Sequence, residues 1–470
     1  MKIALVKWAE KVSGRSVDPA FVHHATGVYP PLGLLYLAAA LRKAGHTVKL
    51  FDIPALRMDR AAYLAALTSF SPAMVGFTTT TLLWPQVAHG ISTTKHALPQ
   101  TITILGGPHT VLFPQESLSL PDLDVVAIGE GEHTIVELAR AVAEQGDFAE
   151  VAGLAFRKQG RIVQTAQRPL VADLDSLPFP ARDLAPMKRY FSIMAGQPMA
   201  TMITSRGCPY SCHFCSQVYW QNHFRMRSAD SVVAEMAELV QTYNIREIMV
   251  YDETFTVRKQ RVLAICDGLL NQGITVRWDM RTRIDRLDEE IIRAVKTAGC
   301  YKVHVGIESG SNRVLRKMNK GIDRDMVVRT VDLLHHQGFE ILAYFMLGYA
   351  DERLDEIEQT IAFAKSLPIH WAHFNVTMPA PGTPLFGDAV AKGMVKADYW
   401  QRFTERLGDV EAIPYFSDSV LTEKQLERKV RSAYRQFYLR PKNCLLCLAK
   451  MVKPDRLKAG WQGFSRLLKG

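Results

Sequence analysis

The feature that most constrains this chain is an alternation of short apolar runs with amphipathic stretches, and it occurs in two separate blocks. In the first block, Lys2–Val6, Thr47–Phe51, Ala73–Thr78, Thr101–Leu105 and Val125–Ile128 are strand-like and rich in Val, Ile and Leu. Leu32–Lys43, Asp59–Ser69, Pro85–His96 and Glu132–Glu144 lie between them with helical periodicity. Five β–α repeats predict a doubly wound parallel sheet over residues 1–150. The second block, 196–400, offers strands at Met199–Thr204, Glu247–Tyr251, Thr275–Asp279, Lys302–Ile307, Glu340–Met346 and His373–Val376. Helical stretches fill the gaps, from Ser228–Tyr243 to Leu354–Ser366. Six such units predict a partial (β/α)6 barrel with its chemistry at the strand C-termini. Between the blocks, Leu154–Val163 reads as a hairpin turning at Gly160, and Pro178 and Pro180 then interrupt regular structure. Residues 151–195 are therefore expected to be an ordered linker, and 401–470 a basic helical extension.

Composition narrows the class. The 470 residues are 48% hydrophobic, enough for large buried cores. No run approaches the about 18 apolar residues of a membrane-spanning helix, and the N-terminal apolar run is too short for a signal peptide. Seven cysteines, an odd number, argue against a disulfide framework and for a reducing cytoplasm. The net charge of +10 is not spread evenly: residues 431–470 hold ten Lys or Arg and one acid, Asp455. Aromatic and aliphatic residues interleave with those charges. Such a segment can lie on an anionic membrane surface, cover a channel or pack on its own barrel. No nucleic-acid-reading module accompanies the charge, so no nucleic-acid partner is expected.

Three cysteines carry the chemistry. Cys208, Cys212 and Cys215 form a Cys-x3-Cys-x2-Cys loop directly after the first strand of the second block. Three soft thiolates can hold three corners of a [4Fe–4S] cube and leave the fourth iron open to a small molecule. A zinc knuckle is the alternative, but zinc wants four ligands in a closed site. In the first block the strand ends are Thr78-Thr79-Thr80-Thr81, Gly106-Gly107-Pro108-His109 and Gly129-Glu130-Gly131-Glu132. Ligands of doubly wound sheets bind at these ends, where glycines admit a bulky group and hydroxyls can hydrogen-bond it.

The cysteine spacing, with Phe214 before the last Cys, resembles the radical S-adenosylmethionine (SAM) superfamily. Tyr29-Pro30-Pro31-Leu32-Gly33, Leu105–His109 and Ile128–Glu132 resemble the Rossmann-like cobalamin-binding domain fused to many of its members. The resemblance implies a [4Fe–4S] cluster on Cys208, Cys212 and Cys215, with SAM on its free iron. It implies SAM contacts near Phe214, Asp252, Glu253, Asp279, Arg281, Glu308 and Gly348, with Glu308 also the expected catalytic residue. It implies cobalamin contacts at Thr78, Thr79, Gly106, Gly107, His109, Gly129 and Glu130. The Asp-x-His-x-x-Gly signature that supplies a cobalt ligand is absent after the first strand, so cobalamin is expected without a His below cobalt. A docking domain that has lost its ligand is the alternative.

The implied activity is radical modification of an unactivated carbon in a hydrophobic small molecule, by methyl transfer. The runner-up is oxidative cyclisation or hydroxylation of a tetrapyrrole. Ala433–Arg440 and the segments around Cys215 and Phe224–Arg227 resemble the anaerobic magnesium-protoporphyrin monomethyl ester cyclase group. A non-catalytic B12-binding sensor is the rival from another class. An electron donor such as flavodoxin or ferredoxin is implied. The expected location is the cytoplasm, with peripheral membrane contact through the basic tail. Cys266 and Cys300 read as small buried hydrophobes, and Cys444 and Cys447 as packing residues or hydrogen donors.

Overall fold

The computed structural model describes residues 1–8, 27–192, 195–216, 218–220, 223–410, 416 and 421–441. The first sheet has seven strands: β1 (Lys2–Lys7), β2 (Thr47–Asp52), β3 (Met74–Thr78), β4 (Ile102–Gly106), β5 (Val125–Ala127), β6 (Leu154–Lys158) and β7 (Arg161–Gln164). Their order is β2-β1-β3-β4-β5-β6-β7. The first five pair in parallel, as the β–α repeat requires. Two hydrophobic cores, one on each face, account for the near-continuous apolar runs of β1 and β3. Strand order reverses direction between β1 and β3, and this switch point opens a crevice at the strand C-termini.

The hairpin assigned to the linker belongs to this sheet. β6 and β7 add to it in antiparallel fashion, β6 alongside β5. An antiparallel edge has no helical crossover to announce it, so the β–α pattern stops one step before the sheet does.

The second sheet runs β8 (Met199–Met202), β9 (Glu247–Val250), β10 (Arg277–Thr282), β11 (Cys300–Glu308), β12 (Glu340–Leu347) and β13 (Trp371–Val376), side by side in sequence order and all parallel. Alternation along the strands separates its two faces. Val303, Val305 and Ile307 join the core beneath the surrounding helices, whereas Lys302, His304 and Glu308 occupy the opposite face. Helices therefore cover one face, and the other is the polar interior of an open barrel. Side-chain caps start several of these helices: Ser228 Oγ accepts from Ser231 N, Asp288 from Ile291 N and Asp323 from Met326 N.

Part of the C-terminal extension packs on the barrel. Helix α1 (Glu423–Tyr438) lies against β13, the sheet's outer edge. The Tyr434 hydroxyl accepts from Phe374 N at 3.2 Å, and that of Tyr438 accepts from Ala372 N at 3.1 Å. These bonds occupy backbone groups an edge strand would leave open. Cys444, Cys447 and most of the basic tail lie outside the described residues. Among the described residues no helix is long and apolar enough to cross a membrane.

Candidate active site

The C-terminal ends of both sheets face a common cavity of about 640 Å³. Gly33, Thr78, Gly106, Gly107, Gly129 and Glu132 line it from the first sheet's side. Ile203, Arg206, Cys215, Trp220, Glu253 and Met378 line it from the barrel's side. Its glycines form a cradle: a Cβ on Gly33 or Gly129 would meet no atom within 4 Å. Gly107 serves differently. Its φ is +99°, and a Cβ there would come within 2.7 Å of Thr78 Oγ1.

The cysteine loop is held from several sides. Thr204 and Ser205, just before it, give both backbone N–H groups and both hydroxyls to the buried carboxylate of Asp252, at 2.5–3.1 Å. Gly207 has φ +83°, and a Cβ there would lie 2.0 Å from His223 O, so the turn into Cys208 needs glycine. Within the loop, Cys215 N donates to Cys212 O. Beneath it, His213 N donates to Met318 O at 2.9 Å and Asn319 Nδ2 to Ser211 O at 2.8 Å. Arg283 Nη1 donates to Cys212 Sγ at 3.3 Å. Burial, then the neighbouring Cys212 and Cys208, push the Cys215 thiol up to about 11. Thiols crowded in this way become thiolates readily only beside added positive charge, which iron supplies.

Among the described residues no three His, Cys, Asp or Glu side chains close on one point as around a single ion. The corner irons of a cube stand apart, so thiols set for a cluster do not converge that tightly. His213 Nδ1 lies 3.7 Å from Asp388, and the ring joins no metal-holding group with the thiols among the described residues. The residues present fit a cluster.

Several expected contacts sit elsewhere. Asp252 is consumed by Thr204 and Ser205. Glu130 does not line the cavity: its carboxylate accepts from Arg206 at 2.6 Å, Arg225 at 2.8 Å and Val171 N at 2.6 Å. Burial raises its pKa, but these donors prevail and hold it below the ordinary glutamate range. Gly348 faces α1, where a Cβ would lie 2.4 Å from Leu426. His109 is fully buried and stacked on Trp84 with centroids 5.3 Å apart, its pKa lowered to about 3 by burial. Its Nδ1 lies 3.2 Å from Thr81 Oγ1, so the ring is packed under the crevice and does not face it. Thr79 is buried beside Thr78 and donates to Thr80 O.

The remaining residues lie near the loop or deeper in the barrel. Glu253 lines the cavity, accepts from Trp220 Nε1 at 2.7 Å, and has its pKa raised by burial. Glu308 adopts φ +70°, an uncommon conformation for a non-glycine residue, and its carboxylate meets Lys320 Nζ at 2.8 Å. A Cβ on Gly306 would sit 2.3 Å from that carboxylate, so glycine makes room for it. Phe214 lies beneath the same ammonium, 5.5 Å from its ring. Asp279 and Arg281 lie deeper inside the barrel. Asp279 is 3.3 Å from His304 Nε2, and Arg281 stacks on Tyr251 at 3.7 Å while donating to Val250 O.

Sequence reasoning passed over Arg206, Arg225 and Glu132. Arg206 donates to Glu132 at 2.5 Å as well as to Glu130, joining the two sets of strand ends through a buried ion network. The available signal was position: Arg206 and Arg225 flank the cysteine motif, and both glutamates fall in Gly129–Glu132.

Comparison with known proteins fits this arrangement. The Radical SAM superfamily profile matches residues 202–364, and the B12 binding domain profile matches residues 19–139. An uncharacterized methyltransferase of Pyrococcus horikoshii is 34% identical over 88% of this chain and 88% of its own. The anaerobic magnesium-protoporphyrin IX monomethyl ester cyclase of Rubrivivax gelatinosus is 27% identical over 88% of this chain and 74% of its own. The cobalamin-dependent S-adenosylmethionine radical enzyme OxsB has the same fold, with a TM-score of 0.72 at 18% identity over 98% of this chain and 70% of that one. The two matched domains, the shared cavity at their strand ends and a relative 34% identical over 88% of its length place the chain in the family of cobalamin-dependent radical SAM enzymes.

Proposed function

We propose that this enzyme transfers a methyl group to an unactivated carbon of a hydrophobic small molecule. The observation that carries the reading is a cavity walled by both domains, lined by Cys215 from one and by the glycine cradle from the other. In this reading Cys208, Cys212 and Cys215 hold the cluster, Glu253 and Glu308 bind SAM, and Gly33, Thr78, Gly106, Gly107 and Gly129 receive cobalamin. When bound, these groups supply SAM cleavage to a 5′-deoxyadenosyl radical and a transferable methyl group.

The chain's own work is placement and exclusion of water. Apolar walls at Leu37, Leu112, Ile203, Met378, Pro381 and Trp400 desolvate the reacting carbon and favour a hydrophobic substrate. Asp252 fixes the cysteine loop through four hydrogen bonds, and the Glu130–Arg206–Glu132 network fixes that loop against the glycine cradle. A low-potential donor of the flavodoxin or ferredoxin type would supply electrons.

The test is mass spectrometry of the products after anaerobic reconstitution with iron, sulfide, cobalamin, SAM, reductant and candidate substrates. 5′-Deoxyadenosine together with S-adenosylhomocysteine and a methylated product is the expected result. 5′-Deoxyadenosine with an oxidised or cyclised product and no S-adenosylhomocysteine would replace methyl transfer with the cyclase reaction.

Two further outcomes follow from the cradle. Gly33 is the second residue of a helix, Leu32–Lys43, so a side chain there carries no helical penalty while filling open space. Gly33→Leu should keep its thermal transition yet weaken cobalamin retention by about tenfold or more, a loss of about 1.4 kcal/mol, as read by equilibrium dialysis. Among the described lining residues there is no histidine. With Co(II) cobinamide, which carries no benzimidazole of its own, the protein should therefore give an electron paramagnetic resonance (EPR) spectrum without nitrogen splitting, and the presence of such splitting would overturn the His-free reading.

A further inference from the structure

We propose that Arg283 raises the reduction potential of the cluster by donating a directed hydrogen bond to its Cys212 ligand, with Asp285 as the opposing charge. The inference rests on Cys212 being a cluster ligand. Arg283 follows β10 and is buried, with 7% of its surface exposed. All of its guanidinium nitrogens are engaged. Nε and Nη2 donate to the two Asp285 carboxylate oxygens at 2.9 and 3.2 Å. Nη2 also donates to Lys320 O, in the strap that runs beneath the cysteine loop. Nη1 points at Cys212 Sγ, 3.3 Å away. The ring of Tyr210 backs the guanidinium plane at 4.1 Å, so the group has one orientation available to it.

The geometry separates a hydrogen-bond effect from a general charge effect. Asp285 opposes the guanidinium's charge at long range, and it shares its Oδ2 with Arg286, 3.4 Å away. What reaches the sulfur is the Nη1–H dipole. Cys208 has a neighbour of another kind: Thr254 Oγ1 lies 3.5 Å from its sulfur but gives its proton to Glu253 O at 2.8 Å. Its single proton can serve only one of these two acceptors at a time. Arg283 cannot lose its proton, so its donation to Cys212 persists at any working pH.

Hydrogen bonds to cluster sulfurs stabilise the reduced, more negative state and raise the potential. The step concerned is addition of one electron to the oxidised cluster from a low-potential donor. No bond forms or breaks at Cys212, and no proton moves. Without the Arg283 contact, fewer clusters would be reduced at a given donor potential, with no change in SAM contacts.

The test is an EPR-monitored reductive titration of the reconstituted holoenzyme, with iron and sulfide counted in each sample. Arg283→Met should shift the midpoint to lower potential, Arg283→Lys should shift it less, and Asp285→Asn should shift it the other way. An Arg283→Met cluster at full occupancy with the wild-type midpoint would overturn the proposal. So would an Asp285→Asn midpoint that moves downward, which would mark the pair as a scaffold. If Arg283→Met fails to hold iron, the Asp285→Asn shift decides the matter. Wild-type protein that assembles no [4Fe–4S] signal would instead remove the cluster assignment on which the inference stands.

Discussion

Cys212→Ala is expected to abolish cluster assembly and 5′-deoxyadenosine formation together, while the first sheet stays folded. Three thiolates leave no spare ligand, and an alanine cannot replace a soft sulfur at iron. Protein hydrogen bonds also hold the loop's path. Asp252, Met318 and Asn319 hold its backbone by hydrogen bonds, and Leu385 N donates to His213 O at 3.0 Å. The first sheet has its own two cores, neither of which contains a cysteine-loop residue. The variant should thus show iron and sulfide contents and a visible absorption band at background. Its 5′-deoxyadenosine yield should be at background and its far-ultraviolet circular dichroism unchanged. Turnover by a Cys212→Ala protein would end the radical assignment.

Glu130→Ala is expected to cause a large loss of stability, concentrated where the two domains meet. The carboxylate is buried, and its removal strands the Arg225 guanidinium, 11% exposed, with the Val171 carbonyl as its remaining acceptor. Breaking one partner out of a buried ion pair costs about 3–5 kcal/mol, because the remaining charge stays desolvated. Arg206 keeps Glu132 and so is only half-disarmed. Hydrogen exchange should accelerate in 125–144 and 204–226, while the inner strands of the barrel keep their protection. Uniform acceleration across the barrel would contradict the local role. Acid should mimic the substitution. The folded pKa of Glu130 lies below its unfolded value, so its contribution is complete above the ordinary glutamate range. That contribution is lost as pH falls from that range through the lowered folded value.

Much of this architecture was readable from the chain alone, since β–α periodicity reports parallel strands and their helices directly. The six barrel strands and the cysteine loop after the first of them were expected where they occur. Side-chain direction at strand ends was not readable. Asp252, Glu253 and Glu308 are equivalent in sequence, as carboxylates just after strands. Yet Asp252 is spent on Thr204 and Ser205, Glu253 faces the cavity, and Glu308 folds back onto Lys320. Which fate a carboxylate meets depends on donors from distant segments, and periodicity carries no information about them. His109 illustrates the same limit: a loop histidine after Gly-Gly-Pro reads as a ligand contact, and burial against Trp84 removes it from the surface. The β6–β7 hairpin was recognised but detached from its sheet, because pairing between β5 and β6 leaves no local pattern.

Helix α1 has a consequence for synthesis. Tyr434 and Tyr438 lie 60 and 66 residues beyond the backbone groups they cover on β13. During translation the barrel can form through β13 well before that helix leaves the ribosome. For that interval the nascent chain displays an unguarded strand edge, the surface on which strands from other molecules pair. Chains stopped before residue 423 keep that edge permanently, so they are candidates for aggregation even though every residue of the cavity described above has already been made.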